Sequence, residues 1–566
     1  LVQTKVTPRV GTTLQTARTY SGSQLQSTTD PYGRKTYYAY DATDGRLIRT
    51  VQATNTTWTP PAPQSGQTFS QALLAVTRDS SPNAAYTVTD IVYGASGNAN
   101  QQIDARGIIT ANTFDSRNRK TTQLAAFSTP LEVRTDTLFD AASNVLEVRS
   151  PRYFDSTDTN GVNKARETWT YTNRNLVATH SEAPGTTEGA TESFTYTLAG
   201  KRLNQVDFRN NTWQSIEAGC CALTRVSVDP LGHGSITNAN ARGQVVHVVA
   251  GSNITASSSN YNDPVNANTL SESTTRYDER GRPTYQTTWL SPRGQVDTAN
   301  PPIAGLNSIP AADGLTTQYL YDDNLTDGVG LDSATGVSVP RLGTGATGTS
   351  NISLSSALTT LAGTIASGGA GISFSSTAPG RATVSINPED EISFSIADAA
   401  GRTVMSGKLM NYRGVGFQPA IAANTLVTWS CTLHDTTQNL AGFGIVLETT
   451  SIDALGFTTK SWSDGAGRTL RSIDQASNIT QITYDAAGNQ LSVRDPNNVG
   501  ADMLYDNLGR NTQRTDTFGD VTKTNYDRSG NAIAQIDAKN KATSITYDAR
   551  NRRRTTSDRI NAVTTF

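Results

Sequence analysis

Cysteine, histidine and charged side chains are scarce in this chain of 566 residues. The three cysteines, Cys220, Cys221 and Cys431, are too few for a disulfide framework, and buried small side chains are favoured over a bridge from the vicinal pair to Cys431. The four histidines lie far apart in the sequence and lack the spacing of metal ligands. Because Gly-x-Ser-x-Gly, His-Glu-x-x-His and Walker motifs are also missing, we do not expect an enzyme.

Long apolar runs and a strong net charge are missing as well. No stretch approaches the ~20 apolar residues that a membrane-spanning helix requires, and the net charge is −2. The one basic cluster, Arg550 to Arg554, is interpreted as part of a solvated terminal strand, so nucleic-acid binding is not expected. The chain starts at Leu1 and stops at Phe566 within its pattern, and we expect it to be a fragment of a longer protein.

What the chain has instead is a fixed period of 21 residues between Ile452 and Asp558. Two interleaved series of aspartates recur with this spacing of 21 residues. The link aspartates are Asp453, Asp474, Asp495, Asp516, Asp537 and Asp558, and the Tyr-Asp aspartates are Asp464, Asp485, Asp506, Asp527 and Asp548. In the second series tyrosine comes first at Tyr484, Tyr505, Tyr526 and Tyr547, and glycine follows at Gly467, Gly488, Gly509 and Gly530, with arginine or asparagine next.

One period predicts one hairpin. Ile482 and Tyr484 alternate with polar neighbours, as in a half-buried strand, and Asp485 to Gly488 is a turn signal. Leu491 and Val493 then alternate in a second strand. Aspartate can accept bonds from the backbone ahead of it, and glycine adopts positive φ at no steric cost. A turn signal every ten or eleven residues argues against a helix.

The motif Tyr-Asp-x-x-Gly-Arg/Asn, followed by Asp-Pro or its remnant, resembles the YD repeat of the RHS proteins, of the teneurins and of the B and C components of Tc toxins. The match is dense from 452 to 558. Looser copies, such as Tyr40-Asp41 and Tyr277-Asp278, extend it over most of the chain, with weak stretches near 55–90 and 330–450. The resemblance implies a cocoon of YD repeats wound around a C-terminal toxin.

The repeat also predicts a fold on physical grounds. A unit of two strands adds roughly 10 Å of sheet, so about twenty units would make a sheet roughly 200 Å wide, whereas open twisted sheets rarely exceed about ten strands. Because right-handed twist accumulates with every strand, such a sheet must coil. We therefore predict an all-β fold, a long antiparallel sheet of YD-repeat β-hairpins coiled into a hollow spiral shell or barrel.

The chain divides into three predicted regions. Residues 1–340 are expected to form a YD-repeat β-shell with a proline-rich insertion near 60–84, in which 68–78 has the spacing of a short helix. Residues 341–450 are expected to be degenerate repeats or an insertion with a low-complexity start, and a separate small β-domain is the alternative. Residues 451–566 carry the regular 21-residue repeats.

The predicted site residues are those of the repeat itself. Aspartates and glycines are expected to fix the turns, and tyrosines at equivalent strand positions are expected to form an aromatic ladder along the sheet. A sugar-stacking face of exposed tyrosines is the alternative. This structural set comprises Tyr484, Asp485, Gly488, Tyr505, Asp506, Gly509, Arg510, Tyr526, Asp527, Gly530, Tyr547 and Asp548.

One loop has the pattern of a calcium site. From Ser156 to Glu167 the chain matches the EF-hand calcium loop except at its first position, where serine replaces aspartate, and Lys164 falls at a ligand position. Asp158, Asn160 and Glu167 are the candidate calcium ligands. The flanking segments have the pattern of strands, so a hairpin loop is favoured over a metal site, and no other cofactor is expected.

Two functional hypotheses follow. The first, implied by the resemblance to RHS and Tc proteins, is a non-enzymatic shell that encloses or displays a C-terminal toxin or effector segment not present in this sequence. The second is a teneurin-like extracellular adhesion or matrix protein that binds glycans or cell-surface proteins. Both imply a protein that is secreted or held at the cell surface, and both require no nucleic acid.

Overall fold

A computed structural model of the chain describes residues 2–6, 14–30, 34–55, 57–218, 224–252, 269–289, 314–321, 381–386, 392–397, 403–409, 426–440, 444–453, 455 and 457–566. The low-complexity start of the region 341–450 and the pair Cys220-Cys221 lie outside the described residues.

Nearly all regular structure in the described residues is β-strand. The elements are β1 Val2–Val6, β2 Leu14–Ser21, β3 Gln24–Thr29, β4 Lys35–Tyr40, β5 Leu47–Ala53, α1 Phe69–Leu74, β6 Tyr86–Tyr93, β7 Ala99–Ile103, β8 Ile109–Phe114, β9 Lys120–Ala125, β10 Val133–Phe139, β11 Val145–Arg149, the 3-10 helix η1 Pro151–Phe154, β12 Arg166–Tyr171, β13 Val177–Glu182, β14 Ala190–Tyr196, β15 Arg202–Val206, β16 Thr212–Ala218, β17 Thr224–Val228, β18 Gly234–Ala239, β19 Val245–Gly251, β20 Thr269–Tyr277, β21 Pro283–Trp289, β22 Gly314–Tyr321, β23 Arg381–Ile386, β24 Ile392–Ala397, β25 Thr403–Leu409, β26 Leu426–Leu440, β27 Gly444–Asp453, β28 Thr458–Ser463, β29 Thr469–Ile473, β30 Ile479–Tyr484, β31 Gln490–Arg494, β32 Gly500–Tyr505, β33 Asn511–Asp516, β34 Val521–Tyr526, β35 Ala532–Ile536, β36 Ala542–Tyr547, β37 Arg553–Ser557 and β38 Val563–Thr565.

These strands form one antiparallel sheet of 38 strands. Each strand pairs with the strand before it and the strand after it in the chain, as β30 pairs with β29 and β31. The described strands β23 to β26 pair in order between β22 and β27, within the same sheet. The predicted long antiparallel sheet of hairpins is therefore confirmed.

The turns alternate between the two edges of this ribbon. Turns that follow even-numbered strands, including those at the Tyr-Asp aspartates, lie along one edge, which we call the Tyr-Asp edge. Turns that follow odd-numbered strands, including those at the link aspartates, lie along the other, the link edge. The side chains at the turns therefore lie along two separate edges of the sheet.

The ribbon coils until its two ends overlap. Asn83, between β5 and β6, donates its backbone N–H to Tyr484 O at 2.9 Å, and Tyr484 at the end of β30 returns a bond to Asn83 Oδ1 at 2.9 Å. Arg106, between β7 and β8, donates to Asp506 O, between β32 and β33, at 3.1 Å. Both contacts join positions 25 strands apart, and the bond from Gly465 to Thr54 joins positions 23 strands apart, so one revolution of the spiral takes 23 to 25 strands.

The contact is made by two walls. We call residues 54–208 the N-terminal wall and residues 465–554 the C-terminal wall, and the line along which they touch the seam. The N-terminal wall contributes its link edge and the C-terminal wall its Tyr-Asp edge. Among the described residues, strand ladders join only chain neighbours, so the ribbon overlaps itself without a ladder across the seam.

The size of one revolution makes the spiral hollow. With 25 strands in a revolution, at about 4.8 Å each, the circumference is about 120 Å and the diameter is about 38 Å for a round outline. Packed sheets lie only about 10 Å apart, and sheets closed from about 16–18 strands already leave an open interior. The side chains of the described walls therefore cannot fill the space they surround.

A local core lies on one face of β4 to β6, where the predicted insertion packs. The short helix predicted over 68–78 is present as α1, and a capping box between Thr68 and Gln71 holds its start. Leu73 of the helix and Val51 of β5 are fully buried in this cluster. Across the part of the chain that the structure describes, no helix has the length and apolarity to cross a membrane.

Candidate functional site

Each Tyr-Asp turn is held by its aspartate. Asp506 donates its backbone N–H to Arg510 O at 3.0 Å, and its Oδ1 accepts the backbone N–H groups of Leu508 and Arg510 at 2.9 and 3.0 Å. Gly509 donates to Asp506 O at 3.0 Å and has a φ of 77°. The ladder slips by one residue at Tyr505, which is the bulge that accompanies a three-residue hairpin loop.

The turn Asp527 to Gly530 has the same four bonds, and the turn Asp485 to Gly488 has both backbone bonds and the bond from Asn489 N–H to Asp485 Oδ1. At the turn of Asp548 the left-handed position is occupied by Asn551, with a φ of 60°. Asparagine is one of the side chains that tolerate this conformation, because its short polar group bonds the nearby backbone. The turn therefore requires a positive φ at this position, which glycine supplies in four repeats and asparagine in the fifth.

Arg510 connects its own turn to the next one. Its Nε donates to Asp506 Oδ2 at 2.7 Å, and its Nη1 donates to Asp527 O at 2.7 Å. The guanidinium also lies over the ring of Tyr526, 4.8 Å from the ring centroid. One side chain therefore binds a carboxylate, a turn carbonyl and an aromatic face, and ties two hairpins together along the Tyr-Asp edge.

The predicted tyrosine ladder is wrong, because successive tyrosines lie too far apart for their rings to touch, and Arg510 occupies the interval between Tyr505 and Tyr526. Those tyrosines lie two strands apart, about 10 Å, whereas the centroids of contacting rings are about 4.5–7 Å apart. Arg468 lies over Tyr484 at 5.1 Å, and the Tyr484 hydroxyl donates to Thr469 O at 3.0 Å. Burial raises the pKa of Tyr484 above its ordinary value, against the lowering effect of Arg468. A covered ring and an engaged hydroxyl are unfavourable for sugar stacking, and Tyr526 is held in the same way.

The seam is centred on Arg152, a side chain only 2% exposed. Arg152 lies in η1, on the link edge of the N-terminal wall. Its Nη1 donates to Asp548 O at 2.8 Å and to Asn551 Oδ1 at 2.9 Å, and its Nη2 donates to Tyr547 O at 3.3 Å. Its Nε lies 3.3 Å from Asp527 Oδ2. A buried arginine of one wall thus binds two successive Tyr-Asp turns of the other.

Asp158 of the N-terminal wall completes the neutralisation of this arginine. Arg152 donates its Nε to Asp158 Oδ2, while Asp158 Oδ1 accepts the backbone N–H groups of Asn160 and Gly161 at 3.1 and 3.0 Å. Burial alone would raise the pKa of the Asp158 carboxyl, but the bonds from Arg152 and the backbone hold that pKa below its ordinary value. A buried charge is tolerated where it is paired and hydrogen-bonded in this way.

Further arginines extend the seam on both sides of Arg152. Arg106 reaches the turn carbonyl of Asn507 at 3.2 Å. From the opposite wall, Arg528 donates to Glu132 O at 2.9 Å and lies 3.4 Å from Asp155 Oδ2. Both walls therefore send guanidinium groups across the seam to the turns of the other.

The basic cluster near the end of the chain also belongs in part to the seam, and its interpretation as a solvated strand end is wrong for Arg550, whereas Arg554 pairs across the seam while half-exposed. The Arg550 side chain is 9% exposed, donates to Glu182 Oε2 at 2.6 Å and lies 4.8 Å from the centroid of Phe208. Arg554 Nη1 lies 3.4 Å from Glu188 Oε1. These acidic and aromatic partners are in the N-terminal wall, far away in the sequence.

Gly465 marks a close approach of the two walls. Its backbone N–H donates to Thr54 O, and a Cβ built at this position would overlap Ala53 O and lie 2.9 Å from Thr54 O. The equivalent turn position holds Ala486 and Asn507 in the next repeats, so the turn itself does not need glycine here. Sequence reasoning missed this residue, and its one signal was a glycine where other repeats carry a side chain.

The candidate calcium ligands all face nitrogen donors. Asp158 is bound by a guanidinium as described above, Asn160 Oδ1 accepts from Arg554 Nη1 at 3.2 Å, and Glu167 Oε2 lies 2.9 Å from His180 Nε2. No group of three or more His, Cys, Asp or Glu side chains within the described ranges is arranged to hold a metal ion. The loop therefore forms part of the seam, with arginine as its cation.

A cavity of about 460 Å³ lies against the seam and is lined by both walls. Leu131 and Val133 contribute apolar surface from the N-terminal wall, and Tyr526 and Ile545 contribute it from the C-terminal wall. Arg152 lies at its margin. The two walls are therefore incompletely packed against each other beside their most buried contact.

Comparison with known proteins finds likeness in solved structures alone, since no family model and no curated protein matches the chain. One match is TcdB2-TccC3 without its hypervariable C-terminal region, at 12% identity and a TM-score of 0.43, covering 96% of this chain and 22% of that chain. TcdB2-TccC3 itself matches at 11% identity and a TM-score of 0.36, with coverage of 96% and 28%. A Photorhabdus luminescens Tc holotoxin pore matches at 11% identity and a TM-score of 0.42, with coverage of 98% and 26%.

These solved chains are Tc toxin components, one of the groups that the repeat motif resembles. The present chain spans between about a fifth and a third of their length. At these identities and TM-scores the likeness carries no functional argument, and function is inferred below from the geometry of this chain.

Proposed function

We propose that this chain is the wall of a non-enzymatic shell that encloses another polypeptide segment, such as a toxin or effector, in a protein that is secreted or held at the cell surface. The observation that supports it is the overlap of the two walls after 23 to 25 strands. An enclosed volume, rather than a surface groove, is what such a coil provides.

The size of the interior favours a polypeptide over a small molecule. Subtracting side chains from the diameter leaves about 28 Å, and about one and a half revolutions of strands roughly 20 Å long give a height of about 30 Å, for a volume on the order of 10,000–20,000 Å³. Pockets for small molecules measure about 300–1,000 Å³. The space therefore corresponds to a folded or unfolded chain segment.

The adhesion alternative has less support. It depended on exposed tyrosines for glycan stacking, and Tyr484 and Tyr526 are each covered by an arginine and bonded through the hydroxyl. Phe457 and Phe518 are also exposed, but they lie in link turns six strands apart, about 29 Å along the sheet, which is too far for one shared stacking face. We therefore keep enclosure as the proposed role.

Protease protection tests this proposal. The protein expressed from its complete reading frame is digested with proteinase K, and the fragments are identified by mass spectrometry. We expect a segment outside this wall to stay intact while the shell is folded and to be cleaved once urea opens it, whereas the same segment expressed alone is cleaved at once. If no segment gains protection from the wall, the proposal is wrong.

A further inference from the structure

We infer that the seam is a separable closure, along which the N-terminal and C-terminal walls part while each wall keeps its own strand pairing. The shell then has a lateral opening that does not require unfolding. Such an opening needs the coiled sheet alone and is independent of what the shell contains.

Bonding inside each wall is continuous, whereas bonding across the seam is not. β30 pairs with β31 in register from Gln481 to Tyr484, and the strands of the walls have a bonded neighbour on both sides. Across the seam the bonds occur in small separate groups, at turns such as those of Asn83, Arg106 and Arg152. Parting the walls therefore breaks bonds at turn tips and leaves every ladder in place.

The seam is also more open to solvent than the ladders. Arg528 and Arg554 keep 48% and 52% of their side chains exposed while pairing with Asp155 and Glu188 at 3.4 Å. The cavity of about 460 Å³ lies between the walls at the same place. Exposed ion pairs contribute little and are screened by salt, so salt should weaken the seam much more than the backbone ladders.

Arg152 is the exception and the strongest point of the closure. It is buried, and removing it takes the guanidinium away from Asp158 Oδ2, while Asp527 and the turn carbonyl of Asp548 each lose one partner and keep another. Breaking a buried pair from one side is costly, because the remaining charge stays desolvated. Loss of this one side chain should therefore shift the seam toward its parted state.

Hydrogen exchange can follow the seam separately from the walls, because some backbone N–H groups have hydrogen bonds that cross it. Tyr484 N–H bonds Asn83 Oδ1 at 2.9 Å, and Ala549 N–H bonds Glu188 Oε2 at 2.8 Å. These two amides report the seam. The ladder amides of β30 to β36 report the wall. Local opening exposes the first set and not the second.

In the wild-type protein, raising NaCl from about 0.05 to about 1 M should speed exchange at Tyr484 and Ala549 by about tenfold or more, with the ladder amides unchanged within about twofold. Arg152→Met should give the same pattern at low salt. Arg119→Met is the matched control, because Arg119 binds a carboxylate, a turn carbonyl and a ring within a single wall. It should leave the two seam amides unchanged.

Equal exchange of seam and ladder amides in every condition would mean that the walls separate only by unfolding, and would overturn the inference. If Arg152→Met does not fold, Arg550→Met, which removes the contact with Glu182, makes the same test at the end of the seam. A seam that never parts would leave the proposed shell intact, since protection of an enclosed segment is measured independently.

Discussion

Replacing Gly465 with alanine tests whether the seam, rather than the turn, requires glycine. The turn accepts a side chain there, because Ala486 and Ala549 occupy the same position in other repeats. The seam does not, since the new Cβ would overlap Ala53 O, and the bond from Gly465 to Thr54 O would be strained or lost. Overpacking costs about 1–3 kcal/mol and a lost hydrogen bond about 0.5–1.5 kcal/mol. Because the walls can move apart and relieve the overlap, we expect a total loss of about 1–3 kcal/mol.

The free energy of unfolding, measured with urea, gives this loss, and exchange at the seam amides shows where it occurs. Asn507→Ala is the matched control, because it removes a side chain at the same turn position of another repeat and should change stability by less than about 0.5 kcal/mol. If Gly465→Ala proves as mild as Asn507→Ala, the walls do not meet at this point, and the overlap of the sheet on itself is refuted.

Three further predictions concern the turns and the candidate calcium loop. Gly509→Ala should cost about 1–2 kcal/mol in urea unfolding, because φ is 77°, and Gly509→Asn should cost less, since asparagine tolerates this region; equal costs would contradict the reasoning. The pKa of Asp207 is lowered from 3.8 to about 2, first by the backbone N–H of Asn211 and then by the Trp213 indole. Asp207 therefore contributes stability that is present above pH 3.8 and is lost as the pH falls toward 2. Trp213→Phe should therefore raise the pKa of Asp207 in a carbon-13 NMR titration, and an unchanged value would exclude the indole bond. Millimolar calcium should leave Tm unchanged because the loop's carboxylates already face nitrogen donors, and a clear upward shift would restore the metal site at Asp158.

The hairpins could be predicted because their determinants are local. Asp506 and Gly509 lie within one turn and bond each other, so their spacing in the sequence is enough to predict the turn. The helix α1 was predicted from the helical spacing of apolar residues within 68–78, which is likewise local. The tyrosine ladder was wrong although the repeat already implied about 10 Å between successive tyrosines, and the sequence did not show that the guanidinium of Arg510 lies over the ring of Tyr526.

The seam could not be predicted, because its partners lie about 400 residues apart. Which residues meet depends on the number of strands in a revolution, and that number depends on small increments of twist that no single residue determines. The residues next to Arg152 in the sequence do not distinguish it from an ordinary arginine in a surface loop. The loop of Asp158 matched the calcium pattern only in part and was favoured as a hairpin loop, and the pattern could not tell that its carboxylate binds the guanidinium of Arg152.

The overlap also limits how many strands one revolution of the spiral can contain. The loop between β5 and β6 contacts two neighbouring turns of the other wall, the β28–β29 turn at Gly465 and the β30–β31 turn at Tyr484. One extra hairpin between the walls would either widen the circumference by about 10 Å or shift Arg152 by one repeat, from the turns of Asp527 and Asp548 to those of Asp506 and Asp527. The diameter of the shell therefore depends on which charged side chains meet across the seam. Repeats added beyond the overlap would lengthen the shell without widening it.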